Sequence, residues 1–232
     1  MPDLSIVQKV IIWVIPVLFA ITVHEVAHGW MASKLGDPTA KMLGRLTLNP
    51  VKHIDPVGTV LVPGLLLLFT GGRFMFGWAK PVPIGTRNFR HMRRDMAIVG
   101  AAGPGANLLM GIIWCLVARF APGVSGLAPN LVMPLTLLGV AGMYINVMLM
   151  VLNLIPIPPL DGGRVLSGLL PRNMALAYDR IEPWGMFILM ALLVTRILDY
   201  IMGVPVGFML GVLSEGAGLG PENFVSLLNV LM

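Results

Sequence analysis

Long uncharged segments alternate along this chain with shorter stretches that carry most of the charged residues. No residue from Val10 to Val23 is charged, and the same holds for the ranges 96–118 and 131–160. A helix that crosses the hydrocarbon core of a bilayer needs roughly 20 predominantly apolar residues. The pattern therefore predicts an all-α polytopic membrane protein with about five to six transmembrane helices.

Basic residues set the predicted orientation of these helices. The first helix, predicted at about 5–33, is followed by Lys34 and Lys41, and lysine and arginine mark cytoplasmic loops. Its C-terminal end is therefore expected in the cytoplasm. The helix at 96–118 then runs outward, and 131–160 returns inward. A further outward helix is predicted at 184–195, with Gly203 and Pro205 expected to interrupt the remainder, so the path of the last thirty residues stays open.

The apolar segment Val57–Thr70 is short and has basic residues on both sides. These flanks favour a re-entrant hairpin, with a full crossing as the alternative. Broken backbone at membrane depth is tolerated only where protein or a cavity covers it. Gly44–Leu48 and Lys80–Ile84 have strand-like composition and predict a short membrane-associated β element, which could pair with an unwound substrate or form a plain internal hairpin.

Composition agrees with a membrane protein and with one domain. The chain is 56% hydrophobic and 12% charged, whereas soluble domains carry about 25% charged residues. The polar stretches are too short for an appended soluble domain, so we expect a single domain over 1–232, with a core at 5–170 and C-terminal helices at 180–232. The net charge of +5 does not indicate nucleic acid, because the basic residues flank apolar segments. The lone Cys115 excludes a disulfide framework.

His24-Glu25-Val26-Ala27-His28 lies at the end of the first apolar segment. On a helix, His24 and His28 project from one face and can hold one metal ion. Glu25 is offset by one position, where it can take a proton from a water molecule beside the metal. Ionisable groups at membrane depth are costly and indicate function. The motif predicts zinc-dependent hydrolysis inside a bilayer.

Asp161 is the predicted third zinc ligand, with a plain loop residue or the N-cap of the next helix as the alternative. Catalytic zinc usually has three protein ligands and an open position. Asp161 directly follows 131–160, which is predicted to run in the same direction as the first helix, so both sites should reach a similar depth. Pro156 and Pro158 end the helix and let the carboxylate turn inward. Asp55, at the membrane re-entry point, is the competing candidate.

Three further polar residues are candidates for contacts with substrate or with the developing oxyanion: Asn153, Asn107 and His53. For both asparagines, an ordinary interhelical hydrogen bond is the alternative. His53 could orient substrate, lie near the metal or hydrogen-bond at the membrane interface.

The chain resembles the site-2 protease family of intramembrane zinc metalloproteases. The resemblance spans roughly 10–170 and rests on HEVAHGW at 24–30, AGPGAN at 102–107 and NLIPIPPLDGGR at 153–164. The segments GRLTLNPVKHIDPVGT at 44–59 and FGWAKPVPI at 76–84 resemble a compact bacterial-type branch. The PDZ or CBS modules frequent in the family are not recognised, so substrate selection, regulation and oligomeric state stay open.

The resemblance implies a set of roles for this sequence. His24, His28 and Asp161 would bind one Zn²⁺, Glu25 would act as catalytic acid and base, and Asn153 would lie near the scissile bond. The implied substrate is a transmembrane protein, cut during regulated intramembrane proteolysis. The implied location is a bacterial-type inner membrane, with the active site toward the cytoplasm.

Two rival classes use similar residues. A metal transporter could employ the same His/Asp cluster, but it needs a polar path across the bilayer, and the outer halves of these helices offer almost none. An inactive relative would bind membrane segments without cutting them, and the presence of Glu25 argues against it.

Overall fold

The computed structural model describes residues 4–61, 64–65, 68 and 79–232. The α-helices with defined bounds are α1 (Ile6–Lys34), α2 (Thr39–Met42), α3 (Met92–Phe120), α4 (Pro129–Leu154), α5 (Asp161–Leu169), α6 (Arg172–Asp179), α7 (Glu182–Val194), α8 (Ile197–Gly216) and α9 (Gly220–Leu231). Short 3₁₀ turns occupy Pro50–His53, Thr86–Asn88 and Ala121–Val124, and a π-helical turn occupies Pro56–Leu61.

Four helices are long and apolar enough to cross a bilayer, namely α1, α3 with its following turn, α4 and α8. The all-α membrane class is thus confirmed, but the count of five to six spans is not. Helix α7 is apolar but has only 13 residues, which extend about 20 Å at 1.5 Å per residue. Most of the predicted hairpin Val57–Thr70 lies outside the described residues.

The predicted β element is not confirmed. In the described part of the chain, no residue of Gly44–Leu48 or Lys80–Ile84 belongs to a strand. The two segments nevertheless lie together against α1. A Cβ atom added at Gly29 would be 2.7 Å from Leu46 Cδ2 and 2.8 Å from Val82 Cγ1, so both apolar side chains pack on the bare face of this glycine.

The expected interruption at Gly203 and Pro205 is wrong. Helix α8 runs through both positions without a break. A proline inside a helix removes one N–H donor, and a membrane helix tolerates this loss when its other backbone bonds are satisfied. The spanning helix of the C-terminal region is therefore α8, and it begins after the predicted 184–195 segment.

Helix α4 is the centre of the bundle. In its most apolar window 56% of residues are buried, against 22% for α1 and 28% for α8. Small residues bring α3 close to it: a Cβ atom at Gly139 would be 2.6 Å from Ala118 Cβ, and one at Gly142 would overlap the Trp114 ring. Close backbone approach through small residues is the usual packing mode of membrane helices.

The C-terminal helix α9 closes the bundle beside α1. Trp13 donates from its indole nitrogen to the Leu231 carbonyl at 3.3 Å, and its ring meets the Tyr144 ring edge-on, with centroids 5.8 Å apart. These contacts join α1, α4 and α9, although they lie far apart in the sequence.

A buried carboxylate joins the loop after α1 to the turn before α3. Asp37 is fully buried. It accepts hydrogen bonds from the Thr39 hydroxyl and N–H, from the Gly85 N–H at 2.7 Å and from the Asn88 amide at 2.7 Å. The end of α1 and the start of α3 therefore lie at the same end of the bundle.

Candidate metal centre

Two helices bring three ligand-type side chains to one point. His24 and His28 stand one turn apart on α1, and Asp161 is the first residue of α5. Asp161 Oδ2 lies 3.2 Å from His24 Nε2 and 3.1 Å from His28 Nε2, and the two Nε2 atoms are 3.0 Å apart. All three residues are buried. Within the described residues, these three are the His, Cys, Asp or Glu residues grouped closely enough to hold a metal ion.

The chain around Asp161 turns sharply. Helix α4 ends at Leu154, and the next helix begins six residues after Ile155, at Asp161. Gly162 makes this turn possible, because a Cβ atom there would overlap the Leu154 carbonyl oxygen and lie 2.5 Å from the Ile155 oxygen. The absence of a side chain at Gly162 lets α5 start directly beneath the end of α4.

Hydrogen bonds fix the tautomers of both histidines. His28 Nδ1 lies 2.7 Å from the Val99 carbonyl oxygen, which can only accept, so this nitrogen carries the proton. His24 Nδ1 donates to Asn107 Oδ1 at 2.6 Å. The Asn107 amide is oriented in turn, because its Nδ2 donates to Asn146 Oδ1 at 3.0 Å. Each histidine therefore presents an unprotonated Nε2 to the centre.

The three inward atoms fit a divalent cation. Two lone pairs and a carboxylate oxygen face one another, and Asp161 Oδ2 is buried without a hydrogen-bond donor among the described residues. Such a set repels itself unless a positive charge lies between its members. Two ligands about 2.0–2.1 Å from a tetrahedral zinc are about 3.3 Å apart, close to the 3.0–3.2 Å found here. The nitrogen and oxygen donors are those that catalytic zinc prefers.

Gly103 of α3 forms one wall of the centre. A Cβ atom at this position would overlap His28 Nε2 and lie 2.5 Å from His24 Cε1. Helix α3 thus presents bare backbone to the two rings, while Asn107, one turn further along, supports His24. The stretch 102–107 thus contributes to this site in two ways: Gly103 leaves room for the two rings, and the Asn107 amide bonds to His24.

Glu25 lies beside the three ligand-type residues and is held by the main chain. Its Oε2 accepts a hydrogen bond from the Val82 N–H at 2.8 Å. Val82 stands between Pro81 and Pro83, which have no N–H, so it supplies the single main-chain donor of this tripeptide. The Val82 side chain is buried against Gly29. The carboxylate is therefore anchored through one oxygen.

The other predicted site residues lie in different environments. Asn107 contacts His24 directly, whereas Asn153 donates to the Leu149 carbonyl of its own helix at 3.0 Å. His53 is buried, with its Nε2 2.9 Å from the Thr47 carbonyl oxygen. Asp55 accepts hydrogen bonds from the N–H groups at 57 and 58, and it is not part of the three-residue group.

Sequence reasoning missed Asn146. This residue is fully buried in α4, accepts from Asn107 and donates to the Gly142 carbonyl at 2.9 Å. An amide inside an otherwise apolar helix was the available signal, the same one that drew attention to Asn107 and Asn153.

A buried, metal-fitting centre of two histidines and an aspartate among membrane-spanning helices defines a membrane metallohydrolase. Comparisons with known proteins agree: the model of "Peptidase family M50" matches residues 129–196. The protein named "Putative zinc metalloprotease YwhC" of Bacillus subtilis (strain 168) is 38% identical over 191 residues, which cover 82% of this chain and 83% of that protein. The protein named "Putative zinc metalloprotease Rip2" of Mycolicibacterium smegmatis is 30% identical over 188 residues, covering 78% of this chain and 66% of the relative. No solved structure matches the chain significantly.

The chain belongs to peptidase family M50, the site-2 protease family. It is a zinc metallopeptidase and an integral membrane protein.

Proposed function

We propose that this protein is an intramembrane zinc endopeptidase that cleaves peptide bonds within or near transmembrane segments of other membrane proteins. The observation that carries the proposal is the convergence of His24, His28 and Asp161 inside the helix bundle, with Glu25 beside them. This arrangement provides three protein ligands and a separate proton acceptor, the set that peptide hydrolysis requires.

The residues divide the work as follows. His24, His28 and Asp161 would hold the zinc ion, which would supply a water of lowered pKa and polarise the substrate carbonyl. The Glu25 carboxylate takes the proton of the attacking water and delivers it to the leaving nitrogen. The Val82 N–H fixes one oxygen of Glu25 and leaves the other for proton transfer. Asn107 and the Val99 carbonyl hold both imidazoles in the tautomer that binds metal.

Substrate approaches from the polar end of the bundle. A cavity of about 490 Å³ opens between Pro81–Ile84 and the 158–168 segment, and its lining includes Val82 and Arg164. Val82 contacts Glu25, and Arg164 lies 3.5 Å from Asp161 Oδ1. A peptide bond unwound from its helix could therefore reach the centre through this cavity. We place the active site toward the cytoplasm of a bacterial-type inner membrane, where release of a cytoplasmic fragment would serve regulated intramembrane proteolysis.

The transporter alternative gives Glu25 no evident role, because Glu25 is not one of the three grouped ligand-type residues. One experiment distinguishes an active protease from an inactive relative. Membrane-protein fragments would be compared in cells expressing the wild type, Glu25→Gln and, as a matched control, Glu222→Gln on the exposed face of α9.

Glutamine at 25 keeps an oxygen that accepts from Val82 but no longer accepts the water proton. We expect Glu25→Gln to abolish cleavage and retain about one zinc per chain by metal analysis, while Glu222→Gln cleaves normally. Asp161→Ala should lose zinc as well as activity. Identical fragment patterns for wild type and Glu25→Gln would overturn the proposed activity, and loss of zinc from Glu25→Gln would overturn the role of Glu25.

A further inference from the structure

A second cavity, separate from the metal centre, opens between the end of α1 and the start of α3. Its volume is about 410 Å³, within the ~300–1,000 Å³ typical of small-molecule sites. Three cations line it, Lys34 from α1 and Arg90 and Arg94 from the start of α3. Asp95 is the carboxylate among its lining residues.

In the part of the chain that the structure describes, these cations have no protein partner of opposite charge. Within the described residues, none of the three forms an ion pair or a hydrogen bond through its side chain; Lys34 lies over the Trp30 ring, 5.6 Å from its centroid. Asp95 is buried and its Oδ2 accepts the His91 N–H at 2.9 Å, which caps the first turn of α3. The Asp95 carboxylate therefore stabilises the start of the helix and offsets only part of the positive charge that lines the cavity.

Helix stability does not explain the two arginines. Arg90 and Arg94 flank the N-terminus of a 29-residue helix, where the macrodipole disfavours cations by about 0.3–1 kcal/mol each. Two arginines and a lysine that line one cavity form an arrangement suited to a bound phosphate group.

The position of the cavity selects the source of that phosphate. Both helices are membrane spans, and the cavity lies where their apolar segments end. Leu35 and Ile98 add apolar lining, and the half-exposed Trp30 beside Lys34 is the residue type that sits at the level of lipid headgroups. A soluble phosphate ester has no apolar part to place against this wall, whereas a lipid can pack its glycerol and upper acyl chain there.

We propose that this cavity binds the phosphodiester headgroup of an anionic phospholipid. Lys34, Arg90 and Arg94 contact the phosphate, and Leu35 and Ile98 contact the start of the acyl chains. The bound lipid joins the end of α1 to the start of α3. Helix α1 carries the two histidines, and helix α3 carries the groups that support them. The proposal does not depend on proteolytic activity.

The test measures lipid binding to the purified full-length chain by native mass spectrometry. Phosphatidylglycerol is titrated against phosphatidylcholine of the same acyl chains, for the wild type and for R90Q/R94Q. The matched control is R172Q/R180Q, which removes the same charge from exposed arginines outside the cavity. Arg172 lies near the same end of the bundle, because Arg93 of α3 donates to the Ser167 carbonyl of α5.

We expect the wild type to prefer phosphatidylglycerol, R90Q/R94Q to lose at least about tenfold in affinity, and R172Q/R180Q to stay within about twofold. K34Q should also weaken binding, since Lys34 approaches from the other helix. Equal loss in both double variants would reduce the effect to general surface charge and overturn the proposal. Equal binding of the two lipids would overturn it as well, and displacement of phosphatidylglycerol by inorganic phosphate at low millimolar concentration would identify a soluble ligand instead.

Discussion

At the scale of single residues, two buried amides support the candidate metal centre through His24. Asn107 is 1% exposed and Asn146 is fully buried, and together they hold His24 with its Nε2 inward. Such outer partners commonly change metal affinity by about 10–100-fold when they are removed. We therefore expect the polar groups buried in α3 and α4 to support metal binding.

Asn107→Ala is expected to weaken zinc binding by about 10–100-fold, because His24 loses the acceptor that fixes its tautomer. Asn153→Ala is the matched control: its amide bonds within its own helix, so zinc affinity should stay unchanged. Competition with a chromophoric chelator measures both. Equal affinity of Asn107→Ala and wild type would show that the hydrogen bond to His24 does not support the metal.

The same control has a second readout. If Asn153 stabilises the oxyanion, Asn153→Ala should lower kcat by about 10²–10³-fold with zinc retained; normal turnover would leave Asn153 a packing residue.

At the scale of elements, α3 approaches α1 so closely that a Cβ atom at Gly103 would overlap the imidazoles of His24 and His28. Gly103 faces both imidazoles, while Gly105, two residues on, is exposed and has nothing within 4 Å of an added Cβ atom. The two glycines are chemically equal and differ only in the side of the helix they occupy.

Gly103→Ala should displace the His24 and His28 rings and remove most zinc binding and cleavage. Gly105→Ala should leave both unchanged. Zinc content and proteolysis of the two variants, purified in parallel, provide the comparison. Full activity of Gly103→Ala would mean that α3 can retreat, and that its close approach is not needed.

The hydrogen bonds of Asp37 form a second link between elements, outside the membrane-spanning helices. Burial alone would raise the pKa of Asp37, but the four hydrogen bonds that its carboxylate accepts lower the pKa below its ordinary value. A carboxyl with a depressed pKa stabilises the fold fully above its unfolded pKa of about 3.9, and this contribution disappears as pH falls through the folded value.

Asp37→Asn is expected to lower stability at pH 7 by at least about 2 kcal/mol, and the gap to wild type should narrow as pH falls below about 4. Thermal unfolding in detergent across pH 3–7 measures this, with the exposed Asp199→Asn as control. A constant gap across that range would show that the charge of Asp37 is not responsible.

Sequence alone predicted the helices of the site well, because their signals are local. The uncharged runs, the i,i+4 histidines and the proline cluster before Asp161 each act within a few residues. The Asn146 contact and the Val82 anchor depend on residues 39 and 57 positions from their partners, and no local pattern encodes such a pairing. The prediction at Pro205 was wrong for the opposite reason: the local rule that proline breaks a helix is strong, yet α8 runs through this position without a break.

At the scale of the whole molecule, both ends of the segment between α1 and α3 lie on one face. Asp37, just after α1, bonds directly to Gly85 and Asn88, just before α3. The chain therefore leaves and rejoins the described bundle at the same end, as the basic flanks of Val57–Thr70 suggest. The cytoplasm is the expected side.

Single cysteines at Lys41 and Arg90, each in a Cys115→Ala background, should both resist an impermeant thiol reagent in intact cells and react after lysis. Native Cys115 is buried, and its replacement removes any residual signal. Labelling of one position from outside would place the two flanks on opposite faces and replace the hairpin with a true crossing.

The anchor between Val82 and Glu25 has a consequence for genetics. The group that holds the glutamate is a main-chain N–H, so replacing the side chain at 82 leaves the donor in place. A saturation screen at this codon would therefore report on packing: side chains that keep the contact with Gly29 should be tolerated, and side chains that do not should lower activity. Proline is the one substitution that deletes the N–H itself, so it should abolish activity however well its side chain packs.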